Sequence, residues 1–448
     1  MATSNRSKPH ILIDVDELRR DFFVGAALKG VLERRGAVVT LTNRTGLPTY
    51  LRFGHFDAVI LGNALNIPIE YLRGVATRTD IHMMSAEGAI PNDKGLERKY
   101  AYSVDPSQRD AKIATVARFH LWGDHSRRYL VSAGYFSEDQ LRVAGAPRFD
   151  YHHRRSLETV PASVLPLGVV CRFIHLNPYR QLNHIETVDS FRADRYRGSI
   201  YPADGGMEDV FWLQAAAMGV LLQLLDECQR RSQKVLVRPH PREDLGAYEY
   251  LLKKYPGVVS IEHHDLSLEA WLGQVCAVAS FNSTSNYEIV ASGRMGISLD
   301  PLLGERGSRH VDRSSTMYYP VTTGLIQPKE IDDVFAALEL LDIGDWDAAK
   351  QYADVLDHVH DICDFPRDRP ALFKVADEIV HTLAESGREV DSPWLRGLRN
   401  WACRAYVKLV EFVVFTIVRR PATSVYFPMW ERRYMRRWKV YVDRYTEG

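Results

Sequence analysis

The sequence predicts an α/β protein built on two parallel sheets with helices on both faces. Short apolar runs alternate with segments whose apolar residues recur at helical spacing, first within residues 8–150 and again within 167–301. Such alternation is typical of parallel sheets that are covered on both sides. Between the two series, residues 152–166 are polar and contain two prolines, which predicts an interdomain linker.

The elements of the first series follow from local patterns. Strands are predicted at 10–15, 38–41, 57–62 and 81–84, and a helix runs from Phe22 to Arg35 before Gly36. A further strand begins at Leu141 and ends in a Gly/Pro turn. No Gly-x-Gly-x-x-Gly follows the first strand, so the dinucleotide fingerprint is absent and a dehydrogenase is disfavoured.

The second series has shorter strands and one long helix. Its predicted strands are 167–173, 235–237, 258–261, 276–279 and 296–301, and its predicted helices are 210–231, 266–272 and 287–292. The carboxyl ends of strands in open α/β sheets are where ligands bind, so the residues that follow these strands are the first candidates for a site.

The most informative stretch follows the strand at 235–237. Arg238-Pro239-His240-Pro241-Arg242 contains two prolines, which disfavour helix and restrict the backbone tightly. Arg238, His240 and Arg242 therefore emerge at a strand end, where two guanidinium groups and an imidazole suit a phosphate. The alternative is a rigid surface turn with solvated arginines.

A hydroxyl-rich turn follows the strand at 276–279. Ser283, Thr284 and Ser285 precede a short helix, whose free N–H groups and nearby hydroxyls could cradle a phosphate. Glu288 could accept hydrogen bonds from ribose hydroxyls. The alternative is simply a well-capped helix. Because this turn comes one strand-helix unit after the His240 motif, we expect it to form a second wall of the same anion site.

Two carboxylates are candidates for acid/base or nucleophilic roles. Glu87 follows a strand end and precedes Gly88, a position that suits a general acid or base at the mouth of a cleft. Asp209 lies in the first turn of the helix at 210–231, where a carboxylate also favours the helix dipole. Each residue thus has a structural explanation, a turn glutamate and a dipole partner respectively, beside the catalytic one.

Composition excludes several classes of protein. Lys+Arg and Asp+Glu both number 57 in 448 residues, so the whole chain gives no indication of nucleic-acid binding. The five cysteines are scattered without Cys-x-x-Cys, which disfavours a disulfide framework or a zinc site and is typical of a reducing compartment. The start resembles no signal peptide and no apolar run reaches the ~18 residues of a spanning helix, so a cytoplasmic location is expected.

The C-terminal segment differs from the rest. From Pro393 onward the chain has twelve Lys or Arg and four acidic residues, interleaved with tryptophan and phenylalanine. A basic, aromatic-rich amphipathic segment suits the surface of an anionic membrane, here the inner face of the cytoplasmic membrane. The alternative is a helical pair that packs on the domains with its arginines snorkelling to water.

Several short motifs together resemble the surface carbohydrate biosynthesis family of bacteria. That family is related to the retaining β-Kdo glycosyltransferases of lipopolysaccharide and capsule assembly and, more distantly, to polyol-phosphate transferases. The similar motifs are Arg238-Pro239-His240-Pro241, Ser280-x-x-Ser283-Thr284-x-x-x-Glu288, Gly293-x-x-Gly296, Glu87-Gly88, Trp122-Gly123, Gly145-Ala146-Pro147-Arg148-Phe149-Asp150 and Phe173-x-x-x-Asn177-Pro178.

The resemblance implies a two-lobed glycosyltransferase of the GT-B type, in which two Rossmann-like domains face a cleft. The implied ranges are an acceptor domain at 1–155, a nucleotide-sugar donor domain at 156–385 and a basic helical tail at 386–448. It also implies a nucleotide-sugar donor, for which a CMP-Kdo-like sugar is one candidate, and a glycan or lipid-linked acceptor. Neither a cofactor nor a metal is implied.

The resemblance also assigns roles to single residues. Arg238 and His240 would contact the donor phosphate, and Ser283 and Thr284 would hold the phosphate or nucleotide. Glu87 would act as acid or base, and Asp209 is the best candidate for a nucleophile. Three other functions stay open: a polyol-phosphate transferase, a sugar-nucleotide epimerase and a non-catalytic assembly protein.

Overall fold

The computed structural model describes residues 8–412 except 16–17, 44, 86–87, 98, 101–105, 153–156, 178–206, 242, 264–265, 305–319, 366–368 and 387–392. Glu87, Arg242 and the basic segment after Phe412 lie outside the described residues, as does the side chain of Asp209. The chain forms two compact units. The first comprises 1–88, 103–150 and 364–448, and the second comprises 89–102 and 151–363.

The first unit contains a parallel sheet with the strand order β2-β1-β3-β4-β5-β6. Every described pair of neighbours in this sheet is parallel, as the strand-helix alternation predicts. Its strands are β1 (His10–Val15), β2 (Val38–Asn43), β3 (Ala58–Leu61), β4 (Asp80–Met84), β5 (Val116–Leu121) and β6 (Leu141–Val143).

The second unit contains a parallel sheet with the order β11-β10-β7-β8-β9. Strands β3, β7 and β10 are buried at every position, which explains why they read as continuous apolar runs instead of alternating ones. The strands of this sheet are β7 (Leu167–Val170), β8 (Val235–Arg238), β9 (Val259–Ile261), β10 (Ala277–Ser280) and β11 (Met295–Ser298).

Helices connect these strands. The helices of the described residues up to the linker are α1 (Leu18–Arg34), α2 (Leu47–Phe53), α3 (Ile69–Ala76), α4 (Asp93–Glu97), α5 (Pro106–Ile113) and α6 (Asp124–Ser132). Those that follow are α7 (Met207–Arg231), α8 (Glu249–Lys254), α9 (Leu268–Leu272), α10 (Ser285–Ser292), α11 (Ile331–Asp342), α12 (Ala348–Tyr352), α13 (Leu356–Ile362), α14 (Ala371–Glu385) and α15 (Pro393–Phe412). None of these helices is both long and apolar enough to cross a membrane.

The structure bears out the predicted fold class of two parallel α/β sheets, while some boundaries differ. The second stretch of the first unit ends at Asp150, before the residues 152–166 predicted as a linker. The range 156–385 predicted for the second domain departs from the observed division, because the chain returns to the first unit at Asp364. The cause is α14, whose apolar face, including Leu372, Val375 and Ile379, packs against α1 and the first sheet.

Candidate functional site

The second sheet reverses its chain order at β7. Strands β8 and β9 lie on one side of β7, and β10 and β11 lie on the other. In open α/β sheets the crevice at such a reversal, outside the carboxyl ends of the strands, is the usual place for a ligand. The loops after β7, β8 and β10 carry Arg172, His240 and the Ser283–Thr284 turn, so all three border this crevice.

Arg172 joins the loops on the two sides of the reversal. Its Nη1 donates to the carbonyl oxygen of Asn282 at 2.8 Å, and the N–H of Asn282 donates to Asp300 Oδ1 at 3.0 Å. Asp300 also accepts from Ser298 Oγ at 3.1 Å. Burial raises the pKa of Asp300 to about 6, opposed by those hydrogen bonds and by the charge of Arg172. Arg172 is half-buried, and a guanidinium has five donors, so it can also bind an anion.

The His240 turn is fixed by a carboxylate that the sequence analysis did not single out. Glu243 is fully buried, and it accepts hydrogen bonds from the N–H of Phe173 and the hydroxyl of Tyr248. Its own N–H donates to the His240 carbonyl at 2.9 Å. Burial raises the pKa of Glu243 to about 7. Glu243 therefore ties the turn after β8 to the loop after β7, while His240 itself is half-buried.

Arg238 is engaged with protein groups. Its Nη1 donates to Glu262 Oε2 at 2.9 Å and its Nη2 to the Leu266 carbonyl at 3.1 Å, and its guanidinium lies 5.9 Å from the centre of the Trp271 ring. Both members of the ion pair are nearly buried. This arrangement gives Arg238 a structural role at the end of β8, and the direct phosphate contact expected of it stays a prediction.

The turn before α10 combines capping with half-exposed hydroxyls. Ser283 Oγ accepts the N–H of Ser285 at 3.2 Å, so the capping explanation applies to Ser283. Thr284 is half-buried and makes no capping hydrogen bond from its side chain. Glu288 lies in the first turn of α10 but is only 2% exposed, and its contact with a ribose stays a prediction.

Two buried hydrogen bonds of Asn286 hold the same turn in place. Ser280 Oγ donates to Asn286 Oδ1 at 2.7 Å, and Asn286 Nδ2 donates to Thr322 Oγ1 at 3.2 Å. Because both Ser280 and Asn286 are fully buried, these bonds replace water and hold the first turn of α10 against β10. The N-terminal N–H groups of α10 are thereby held at the crevice.

In the first unit, Trp122 contacts both Ser85 and Gly88. Its indole Nε1 donates to the carbonyl of Ser85 at 2.9 Å, and a Cβ added to Gly88 would lie 2.2 Å from Trp122 Cγ. Only glycine fits there, because the indole occupies the space of a side chain. A shallow pocket lies beside Ser85 and is lined in part by Asp14 and Arg148.

Less is known of the surroundings of Asp209 than of the residues described above. Asp209 lies in the first turn of α7, as expected, and its side chain is outside the described residues. Across the part of the chain that the structure describes, no group of three or more His, Cys, Asp or Glu residues could hold a metal ion. Asp347, in the triplet Asp345-Trp346-Asp347, caps α12 by accepting the Ala349 N–H at 2.8 Å.

Sequence reasoning missed Arg172, Glu243 and Asn286. Arg172, like Arg238, is an arginine at the carboxyl end of an apolar strand, and a search of every predicted strand end for cations would have found it. Glu243 and Asn286 are adjacent to or within the motifs already noticed, but their buried partners are distant in sequence.

Comparison with known proteins gives a likeness of fold. The chain matches no protein-family model and no curated protein sequence. Among solved structures, a variant of the wall teichoic acid polymerase TagF soaked with CDPG matches with a TM-score of 0.51 and 12% identity, over 86% of this chain and 91% of that chain. A putative UDP-N-acetylglucosamine 2-epimerase from Listeria monocytogenes matches with a TM-score of 0.45 and 8% identity, over 86% and 98% respectively.

The TagF match identifies the fold as GT-B-like, with two Rossmann-like units and two parallel sheets. At this identity the likeness does not extend to substrates. The TM-score of the epimerase match is too low to support a conclusion about this chain.

Proposed function

We propose that this protein is a glycosyltransferase of surface polysaccharide synthesis. It moves a sugar from a nucleotide-activated donor to a glycan or lipid-linked acceptor, and the second unit binds the donor's phosphate. The observation that supports this proposal is that Arg172, His240 and the N-terminus of α10 all follow the carboxyl ends of three neighbouring parallel strands, β7, β8 and β10. The fold is compatible with such an activity, because a wall teichoic acid polymerase has the same architecture.

The chemistry of this site concerns the charge on the leaving group. Breaking a sugar–phosphate bond places negative charge on the departing phosphate and positive charge on the sugar. Arg172, His240 and the N–H groups of α10 stabilise the phosphate, and each such donor is typically worth ~3 kcal/mol of the barrier. Ser283, Thr284 and Arg242 border the same phosphate in this proposal, and Glu288 the ribose.

In this proposal Arg238 positions the end of β8 instead of binding the phosphate directly. Its ion pair with Glu262 fixes the end of β8, from which His240 emerges. On the first unit, Glu87 is proposed as the acid or base that serves the acceptor hydroxyl. Asp209 is the proposed nucleophile if the sugar is transferred with retention. Cationic side chains rather than a metal take up the leaving-group charge.

A nucleotide screen tests the donor site first. Thermal unfolding is measured with CMP, CDP, UDP and GDP, since a ligand that binds the native state raises the apparent stability. We expect one of these nucleotides to raise the midpoint, and we expect the rise to be lost in His240→Ala. The matched control is Arg230→Gln on the exposed surface of α7. If none of the four nucleotides shifts the midpoint, the proposed donor site is contradicted and an assembly protein is favoured.

Turnover then separates the remaining classes. The protein is incubated with sugar nucleotides of the selected base, with and without a membrane extract as acceptor. A transferase consumes donor only with acceptor, whereas an epimerase converts the sugar nucleotide alone. Release of nucleoside monophosphate from a CDP-polyol would indicate a polyol-phosphate transferase instead. We expect His240→Ala to abolish transfer without loss of fold, and near-normal turnover in that variant would show that the site is misplaced.

The C-terminal segment at 393–448 is proposed to hold the enzyme at the inner face of an anionic membrane. Twelve cationic residues against four acidic ones support this location, as does the need to reach a lipid-linked acceptor.

A further inference from the structure

Helix α15 binds the first unit through one narrow face. Arg396, which is 1% exposed, pairs with Asp57 through Nη1 and Oδ2 at 2.6 Å. One turn further on, Asn400 accepts the His55 N–H and donates to the His55 carbonyl, both at 2.8 Å. Val407 packs against Gly46. With the buried Cys403, these residues recur every three or four positions, so one stripe of the helix docks on the unit.

The opposite face of α15 is apolar and exposed. Trp394 and Trp401 are 70% and 67% exposed, and Leu398 and Leu409 are 47% and 60% exposed. The spacing of Trp394, Leu398 and Trp401 places them on one side, in line with the exposed Ala405. Large exposed apolar patches mark interaction sites, because burial of such surface from water is favourable. The outward face defined by Trp394, Leu398, Trp401 and Leu409 therefore suits an apolar partner.

Cations lie on both sides of this outward face. With 3.6 residues per turn, Arg404 and Lys408 lie along one side of the stripe, while Arg399 lies on the other side of the helix, beyond Leu395. All three are exposed, and Arg404 also reaches Thr40 Oγ1 at 3.3 Å. Residues 393–410 contain no acidic side chain at all. The partner of this surface is therefore apolar at its centre and anionic at its margins.

We infer that the outward face of α15 lies in the interface of an anionic lipid bilayer, with the helix parallel to the membrane plane. The tryptophans and leucines enter the boundary between headgroups and acyl chains, and Arg399, Arg404 and Lys408 reach the lipid phosphates. At 1.5 Å per residue, the helix presents a contact roughly 30 Å long. The ion pair of Arg396 with Asp57 anchors that contact to the first unit.

The charges argue against a second copy of this chain as the occupant. Two copies of α15 packed through the outward face would bring arginine and lysine edges together, without an acidic residue in 393–410 to pair with them. Like charges placed opposite one another are destabilising. A sheet of anionic headgroups supplies the complementary charge. The inference refines the proposed membrane contact and rests on that part of the proposed function, but it does not require sugar transfer.

The test is co-flotation of the full-length chain with vesicles. Phosphatidylcholine vesicles with and without phosphatidylglycerol are compared, using the wild-type chain and Trp394→Gln/Leu398→Gln/Trp401→Gln. We expect the wild type to float with the anionic vesicles and to be released by added salt. We expect the triple variant to partition into the vesicles at least about tenfold more weakly, because it lacks the apolar area that the membrane would bury. Its exposed positions leave the docked stripe intact, so its unfolding midpoint should not change.

A matched control tests whether membrane binding depends on the outward face of α15 or on any exposed apolar residues. Trp212→Gln/Tyr250→Gln/Ile343→Gln changes three equally exposed apolar residues of the second unit and should float like the wild type. His240→Ala should also float normally, so a failed transferase proposal remains distinguishable from a failed membrane proposal. Equal flotation of wild type and the α15 variant would overturn the inference. So would a wild type that stays unbound, or one whose light-scattering mass shows a dimer that the α15 variant abolishes.

Discussion

Arg172 and Asn282 are joined by a hydrogen bond of 2.8 Å between the guanidinium of one and the carbonyl oxygen of the other. This bond connects the loops after β7 and β10, which are neighbouring strands although more than a hundred residues separate them. It lies where the chain order of the second sheet reverses. A cation placed there can hold the crevice together and bind an anion with its remaining donors.

The two hydroxyls before α10 should respond differently to substitution. Ser283→Ala removes the acceptor of the Ser285 N–H and should lower the free energy of unfolding by about 1 kcal/mol, the usual cost of a lost cap. Thr284→Val keeps the shape and removes a hydroxyl that makes no capping bond. It should leave stability nearly unchanged and weaken nucleotide binding. Chemical denaturation and nucleotide titration of both variants check this, and a large stability loss in Thr284→Val would contradict it.

Arg238 should prove to be a stability residue. Arg238→Gln leaves Glu262 buried without its cation, and breaking a buried pair in this way typically costs about 3–5 kcal/mol. Arg238→Met combined with Glu262→Leu removes both charges and should recover much of that loss. Urea unfolding of the three chains measures the effect. If Arg238→Gln is as stable as wild type but binds nucleotide far more weakly, then Arg238 is a direct ligand and the structural role is wrong.

Gly88 should not tolerate a side chain. A Cβ there would lie 2.2 Å from Trp122 Cγ, so Gly88→Ala should displace either the backbone at Gly88 or the indole and lower the free energy of unfolding by about 1–3 kcal/mol. Gly74→Ala is the control, because its Cβ would meet open space in α3, and it should be neutral or stabilising by about 0.5–1 kcal/mol. Thermal unfolding of both variants is the measurement. Similar midpoints in the two variants would contradict the close packing of Trp122 against Gly88.

A buried histidine pair should make stability depend on pH. His82 and His120 lie on β4 and β5 with their rings stacked at 5.4 Å, and His82 Nδ1 is 3.1 Å from His120 Nε2. Burial lowers the pKa of His82 well below its usual range and that of His120 to about 4. The positive charges of Arg118 and Arg142 add to the lowering for His120, while Glu378 opposes it.

The direction of this pH dependence follows from the difference in proton binding between the unfolded and the folded chain. The unfolded chain takes up protons on these imidazoles as pH falls below about 6.5, whereas in the folded chain His120 does so only near its pKa of about 4 and the pKa of His82 is also held well below its usual range. The free energy of unfolding should therefore fall as pH drops through this window. His82→Leu/His120→Leu should have a shallower slope in urea unfolding at several pH values, and His381→Gln, at an exposed position on α14, should keep the wild-type slope. Equal slopes in all three chains would contradict this assignment.

The sequence was sufficient for the fold class and for many of its elements. The apolar run at 235–237 predicts β8, and the predicted strand at 10–15 coincides with β1, because strands buried on both faces are continuous apolar runs. The start of α10 at Ser285 instead of Tyr287 was missed, since the helix begins after Thr284, whose side chain makes no capping hydrogen bond, and Ser283 accepts the first N–H from outside the helix. Local pattern thus predicts elements better than it predicts their ends.

The roles of the two arginines could not be separated from the sequence. Arg238 ends β8 and Arg172 comes shortly after β7, so both lie at the carboxyl end of a strand, and the prolines after Arg238 do not reveal whether its partner is a ligand or a protein carboxylate. Glu262 comes next to Arg238 only because β9 pairs with β8, a tertiary relationship that places residues 24 apart in contact. In the same way, the amphipathic pattern of α14 predicts a buried face but not which of two sheets buries it.

The most direct test of the donor site is calorimetric titration of CDP, and then of UDP, into wild type, Arg172→Gln and Arg172→Lys. We predict that wild type binds one of these nucleotides and that Arg172→Gln binds it about 10- to 100-fold more weakly, since a hydrogen bond to a charged group contributes about 1.5–3 kcal/mol. Arg172→Lys should recover part of the affinity, because it restores the charge without the guanidinium fork. Equal affinity in wild type and Arg172→Gln, with both chains folded, would contradict a phosphate site at the end of β7.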